Sequence, residues 1–210
     1  MSDNTSLIDR ISYVNTYKAF NANNYRFYGS GSFNINIFGI RNKSRLVDSF
    51  DDYLCVAYCS EKGEKQLEIY PCTLDPGSYY LKNLMDAGGA AGIAPAQYKN
   101  LWVLGEFHNT PALIQVNNVT VYRDGNKDNK LDWNKNKTTT GIYGIFCHET
   151  FQKAEVATTV YNSSGGCVVP QKRGDMNRLI ELCKKQVINR YGNMFTFTLF
   201  EEEEYLSLIN

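Results

Sequence analysis

Cys167 ends the run NSSGGC (162–167), in which every residue before it is small. A nucleophilic cysteine needs a base to make thiolate, a backbone that lets substrate approach, and N–H groups aimed at a developing oxyanion. Gly165 and Gly166 supply the approach and freely oriented amides, and the Ser164 hydroxyl is placed to fix the loop or an imidazole by a hydrogen bond. The chain has two histidines, His108 and His148, so the choice of imidazole base is short. His148 ends the apolar run GIYGIFCH (141–148), nineteen positions before Cys167. That interval allows a strand end, a loop and a return to the same edge. Spacing alone equally fits a Ser-Ser-Gly-Gly turn beside a structural strand-end histidine. His108, in GEFHNTP, and Tyr143 are candidates to line a substrate cleft with Gly165, although a lone strand-end histidine also suits a structural place.

A second constellation is DGNKDNKLD (124–132), which puts Asp124, Asn126, Asp128 and Asp132 at positions 1, 3, 5 and 9 of an EF-hand-like loop. Hard oxygen ligands at this spacing converge on one calcium ion, which here would be structural, since thiol chemistry requires no cofactor. Against it, position 6 is Asn129 rather than glycine, position 12 is Lys135 rather than glutamate, and no helix brackets the segment. The alternative is a polar hairpin loop. The six cysteines form no CxxC pair, which argues against a zinc ribbon or a disulfide scaffold. Cys55, Cys59 and Cys183 read as small core hydrophobes. Cys72 and Cys147 are the rival nucleophiles, with Cys147 facing away from His148 if the strand alternates.

These residues sit in a chain of 210, enough for one substantial domain, or for one domain plus a short appendage. Lysine plus arginine equal aspartate plus glutamate at 22 each, and the basic residues are scattered, which argues against a nucleic-acid partner. No apolar run approaches the ~20 residues of a membrane span. The opening MSDNTSLIDR lacks the basic and apolar regions of a secretory signal. The expectation is synthesis in the cytosol, with action at the cell wall only after release or as part of a virion.

The pattern is mostly strand. SFNINIFGI (32–40) alternates Phe33, Ile35 and Ile37 with asparagine, and DYLCVAYC and QLEIYPC read as a hairpin across SEKGEK. Asp75-Pro76-Gly77 is a turn. DAGGAAGIAPAQY reads as a small-residue loop, and LWVLGEF, ALIQVNNVTVY, TGIYGIFCH and MFTFTLF read as strands. One helix is predicted at 175–191, with Asp175 as N-cap, Met176, Leu179, Ile180, Cys183 and Val187 on one face, and Gly192 beyond its end. Residues 1–28 read as an N-terminal arm with a short helix around Ser6–Tyr13, 29–200 as the catalytic domain, and 201–210, opening on EEEE, as a solvated acidic tail. The expected fold class is mainly β, a β-rich α+β arrangement in which a sandwich or barrel-like sheet pair carries one main helix.

The order GIYGIFCHET … NSSGGCVVPQKRGDMNRLIEL resembles the L,D-transpeptidase catalytic domain, which runs His-Gly-Thr or similar, an interval of comparable length, Ser/Thr-His-Gly-Cys, and then a helix. The resemblance extends over roughly residues 32–200 through YPCTLDPG, APAQY and the last strand, and its Ser-x-Gly-Cys form is similar to a divergent branch found in tailed phages. Three positions depart from the pattern: Glu149 follows the histidine, Gly165 stands where a second histidine is usual, and Ala96 replaces a glycine. The resemblance implies acyl transfer on peptidoglycan stem peptides. Cys167 would attack the carbonyl of an L-to-D bond at diaminopimelate, His148 would manage the proton, and amides near Gly166 and Cys167 would hold the oxyanion. Passing the acyl group to an amine gives a cross-link, and passing it to water gives cleavage. The other function class is a non-catalytic virion or surface protein that keeps the fold.

Overall fold

The computed structural model describes residues 6–133 and 135–210. Two helices, α1 (Leu7–Arg10) and α2 (Tyr13–Ala22), precede strands β1 (Asn36–Arg41), β2 (Asp52–Cys59) and β3 (Lys65–Thr73). After α3 (Ser78–Lys82) come β4 (Ala90–Ile93), β5 (Ala96–Phe107), β6 (Thr110–Gln115), β7 (Val119–Asp124) and β8 (Thr138–Gly141). The chain closes with β9 (Val169–Pro170), the main helix α4 (Arg173–Ile188), β10 (Phe195–Glu201) and α5 (Glu202–Ile209). The fold is mainly β, as the sequence pattern indicates. A seven-stranded sheet runs in the order β6-β5-β10-β1-β2-β3-β9, and a three-stranded sheet in the order β4-β7-β8. Among the named strands of the described residues the central β1–β10 pair is parallel and the other ladders are antiparallel.

Alternation along β1 and β2 feeds two cores. Ile37, Leu54 and Val56 face α4 and the small sheet, where they join Leu179, Cys183 and Val121. Phe38, Ile40 and Cys55 face the other way, joining Phe20, Phe200 and Tyr205. Every residue of β1 is therefore buried, including those the sequence pattern treats as a polar face. The second core corrects the expected arm and tail. Helices α2 and α5 are too short to persist alone in water and are held by packing on the sheet, with Thr16 Oγ1 3.3 Å from Tyr205 Oη. The acidic run does not behave as a solvated tail, because Glu201 pairs with Arg41 at 3.1 Å and Arg45 at 2.9 Å, and Glu202 accepts from the Lys43 amide at 3.0 Å.

Three local expectations also change. Helix α4 begins at Arg173 with Lys172 as its N-cap, so Asp175 lies in the first turn, where its charge suits the helix dipole, rather than capping it. Val187 is 37 % exposed, off the buried stripe. The small-residue segment expected to loop instead forms β4, because Gly92 admits the Trp133 ring, which lies 2.6 Å from where a Cβ would stand. The run after β8 forms no regular strand and is bridged to its neighbours at Cys147, which pairs with Leu113 and Val168.

Arg41 ties the layers together. It is fully buried, donates to the carbonyls of Ile93 at 2.8 Å and Leu74 at 3.1 Å, and lies 2.8 Å from Asp75 without the alignment of a hydrogen bond. Burial opposes its charge, and Asp75, Glu201 and Asp52 outweigh that effect and raise its pKa. Arg41→Leu strands two carbonyls and two carboxylates, so it is expected to destabilise the fold by about 3–5 kcal/mol in urea unfolding. A loss below about 1 kcal/mol would show the cluster to be dispensable.

Candidate active site

The Cys167 loop is built by backbone and hydroxyl contacts. Ser164 Oγ donates to the Cys167 carbonyl at 2.8 Å and accepts from the Gly166 amide at 3.1 Å, so this hydroxyl shapes the loop and does not reach the imidazole. The Ser164 carbonyl accepts from the Gly77 amide at 2.9 Å. The Asp75-Pro76-Gly77 turn thus holds the loop from below. Gly77 has φ −77°, so its role is close approach rather than a left-handed turn: a Cβ there would lie 2.0 Å from the Tyr161 carbonyl oxygen.

Gly166 meets both demands, with φ +121° and a would-be Cβ 2.4 Å from the Ala91 carbonyl oxygen. Gly165 has no such constraint, and its would-be Cβ makes ordinary contact with Met85 and Tyr80 at 3.5 Å. Gly166→Ala is therefore expected to destabilise by at least about 1–3 kcal/mol from backbone strain and to displace Cys167, whereas Gly165→Ala should leave stability within about 0.5 kcal/mol. Thermal melts of the two variants check this, and equal effects would refute the geometry.

The run 141–148 reaches the same place. The Val168 amide donates to Phe146 O at 2.9 Å, and the His148 amide donates to Val168 O at 3.2 Å. Cys147 turns into the core against Met176, while His148 turns into a cavity of about 220 Å³ that Cys167, Tyr143, Phe146 and Gly165 also line. His148 Nδ1 lies 2.7 Å from the Glu149 carbonyl oxygen. A carbonyl only accepts, so Nδ1 carries the proton and Nε2 keeps its lone pair. Burial, with a smaller contribution from His108, lowers the His148 pKa to about 4. The Glu149 side chain faces away and accepts from Arg173 at the start of α4, 2.9 Å distant.

Cys167 is partly exposed, while the other five cysteines are buried. Burial of the sulfur raises its pKa to about 11, opposed by the Phe146 amide, which donates to Sγ at 3.4 Å. The thiol itself donates to Gly144 O at 3.3 Å. Among the described residues no hydrogen bond joins Cys167 to His148, so at neutral pH the pair rests as thiol and neutral imidazole. Cys72 and Cys147 are held still further from thiolate by complete burial.

His108 lies at the tip of the β5–β6 hairpin, with φ +50° followed by Asn109 at +62°, a two-residue turn of the kind that matches strand twist. Its ring packs on Phe107 and Phe151 and sits behind the cavity wall rather than in it. Tyr143 lines the cavity and also carries Arg123 4.5 Å above its ring. Residues that sequence reasoning missed are Phe107 and Phe151, which flank the imidazole, and Tyr80 and Met85, which line the same cavity beside Gly165. Phe151, three positions after His148, had a local signal; Tyr80 and Met85 arrive from α3 and the segment after it, and nothing near Cys167 in sequence marks them. Ser163 was visible in the quoted run, and its hydroxyl accepts from the Phe151 amide at 3.2 Å.

Asp124 ends β7, and Asn126, Asp128 and Asp132 follow in the loop between β7 and β8, remote in sequence from the thiol. No helix in the described residues is long and apolar enough to cross a membrane. Comparison of the chain with family models, curated proteins and solved structures yields no match.

Proposed function

We propose that the protein is a cysteine-dependent acyl-transfer enzyme in which Cys167 is the nucleophile and His148 the base. The observation that carries this reading is the sharing of one cavity by a partly exposed thiol and an imidazole whose Nε2 is left unprotonated. Substrate entry displaces the thiol from Gly144 O, and the thiol proton passes to His148 Nε2. Sγ then bonds to the substrate carbonyl carbon, and the Phe146 amide stabilises sulfur while it is anionic. The Gly166 amide is engaged by Ser164, so the oxyanion falls to the Cys167 amide. Collapse breaks the C–N bond, the departing amine takes the proton back from the imidazolium, and a thioester remains. An incoming amine or water attacks that thioester and releases the thiol.

The substrate class, peptidoglycan stem peptides, rests on the L,D-transpeptidase resemblance of the Cys-His block. Its phage-type form suits a protein that acts at the cell wall after release or within a particle. Incubation with muropeptides, read by mass, should give cross-linked or shortened stem peptides. Unchanged muropeptides together with no acyl-enzyme mass would sink the proposal. A second reading, a non-catalytic virion or surface protein that binds peptide in this cavity, is favoured by the resting thiol's engagement with Gly144 rather than His148. It is separated from the first by muropeptide binding without product.

A further inference from the structure

We propose that the loop between β7 and β8 is a calcium site, with side-chain oxygens of Asp124, Asn126, Asp128 and Asp132 and the Lys130 carbonyl as ligands. The fold of the loop suits it. Asp124 Oδ1 accepts from the Asn126 amide at 3.3 Å, Asn126 Oδ1 from the Asp128 amide at 3.0 Å, and Asp128 Oδ1 from the Lys130 amide at 3.0 Å. Asn129 has φ +65°, so it supplies the left-handed corner that glycine supplies at position 6 of a calcium loop. The sequence-level objection to this asparagine is met by its conformation.

Loop shape alone does not require a ligand; the Asp124 carboxylate points to one. The residue is 6 % exposed, and its Oδ2 is buried without any hydrogen-bond partner. A desolvated carboxylate oxygen is costly unless a donor or cation meets it. Asp124, Asn126 and Asp132 line the same surface cavity beside Gly88.

The described residues hold no ready-made group of three or more His, Cys, Asp or Glu able to hold a metal, and Asp128 leans toward Lys130 at 3.7 Å. Binding must therefore draw the exposed carboxylates of Asp128 and Asp132 in toward Asp124. That movement, and Lys135 in place of a bidentate glutamate, put the site at the weak end of calcium loops, with Kd on the order of 10⁻⁴–10⁻³ M. Calcium would stiffen the wall behind the thiol, because Trp133 carries the loop against Gly92 of β4, and Ala91 of β4 abuts Gly166.

Trp133 makes the test direct and independent of catalysis. Terbium added to the full chain should give saturable luminescence on tryptophan excitation, displaced by calcium and not by equal magnesium. Calcium should also raise the melting temperature, with chelator reversing the rise. Asp128→Ala and Asp132→Ala change exposed side chains and should fold normally while weakening calcium binding by at least about tenfold in calorimetry. Trp133→Phe should lose the luminescence but keep calorimetric binding. Absence of saturable calcium binding up to about 10 mM, well above the weak range of such loops, or unchanged affinity in both aspartate variants, overturns the proposal.

Discussion

Cys167→Ala is expected to abolish both product formation from muropeptides and the covalent adduct with a carbapenem, while the protein stays folded. Among the described residues the sulfur makes two weak hydrogen bonds, to Phe146 N and Gly144 O, and it sits at a partly exposed loop position. Its loss should therefore change stability by less than about 1 kcal/mol. Peptide mapping of the native protein after iodoacetamide should place the label at Cys167 first, because the other cysteines are buried. With the thiol raised to about 11, thiolate is scarce at neutral pH, and the alkylation rate should climb about tenfold per pH unit between roughly 7 and 10. An adduct on Cys72 or Cys147, or full activity in Cys167→Ala, would remove the assignment.

His148→Ala should lower turnover by about 10²–10⁴-fold, the loss typical of a general base. The depressed pKa supplies a pH signature. With a value of about 4, His148 is neutral at pH 7 and stays unprotonated until the pH falls toward about 4, so the acid limb of the rate profile should lie well below the ordinary histidine range. The same shift affects stability. Above about pH 6.5 the imidazole is neutral in both folded and unfolded chains; below it the unfolded chain takes up a proton that the native site refuses. Stability should therefore decline as pH drops from about 6.5 to about 4, by about 3 kcal/mol from this residue alone. His148→Gln should flatten that part of the urea-unfolding profile. A wild-type acid limb near 6.5, or a His148→Ala variant with unchanged rate, would mean that another group handles the proton.

The extent to which the site was legible follows from what each signal depends on. Cys167, with glycines before it, and His148, ending an apolar run, are local chemical facts, and their meeting needs only one return of the chain. The imidazole tautomer is different. It rests on the Glu149 carbonyl, whose side chain is tied to Arg173. Backbone carbonyls leave no mark in sequence. Ser164 was open between two partners until the loop closed around its hydroxyl, and His108 was indistinguishable from a cleft residue until two successive positive φ values placed it on a hairpin tip.

By itself the sequence determined the β-rich class, the β2–β3 hairpin and the apolar stripe of α4, because a period of two or 3.6 reports which face of an element meets a core. It did not say that β1 and β2 are covered on both faces, since periodicity in one segment cannot name the segment that covers it. That decision was tertiary. Phe38, Ile40 and Phe200 left an apolar second face on the sheet, and α2 and α5, from opposite ends of the chain, buried it together. Short polar-looking segments that would be disordered alone became helices because the sheet offered them a surface on which their few apolar residues outweigh the entropy of ordering.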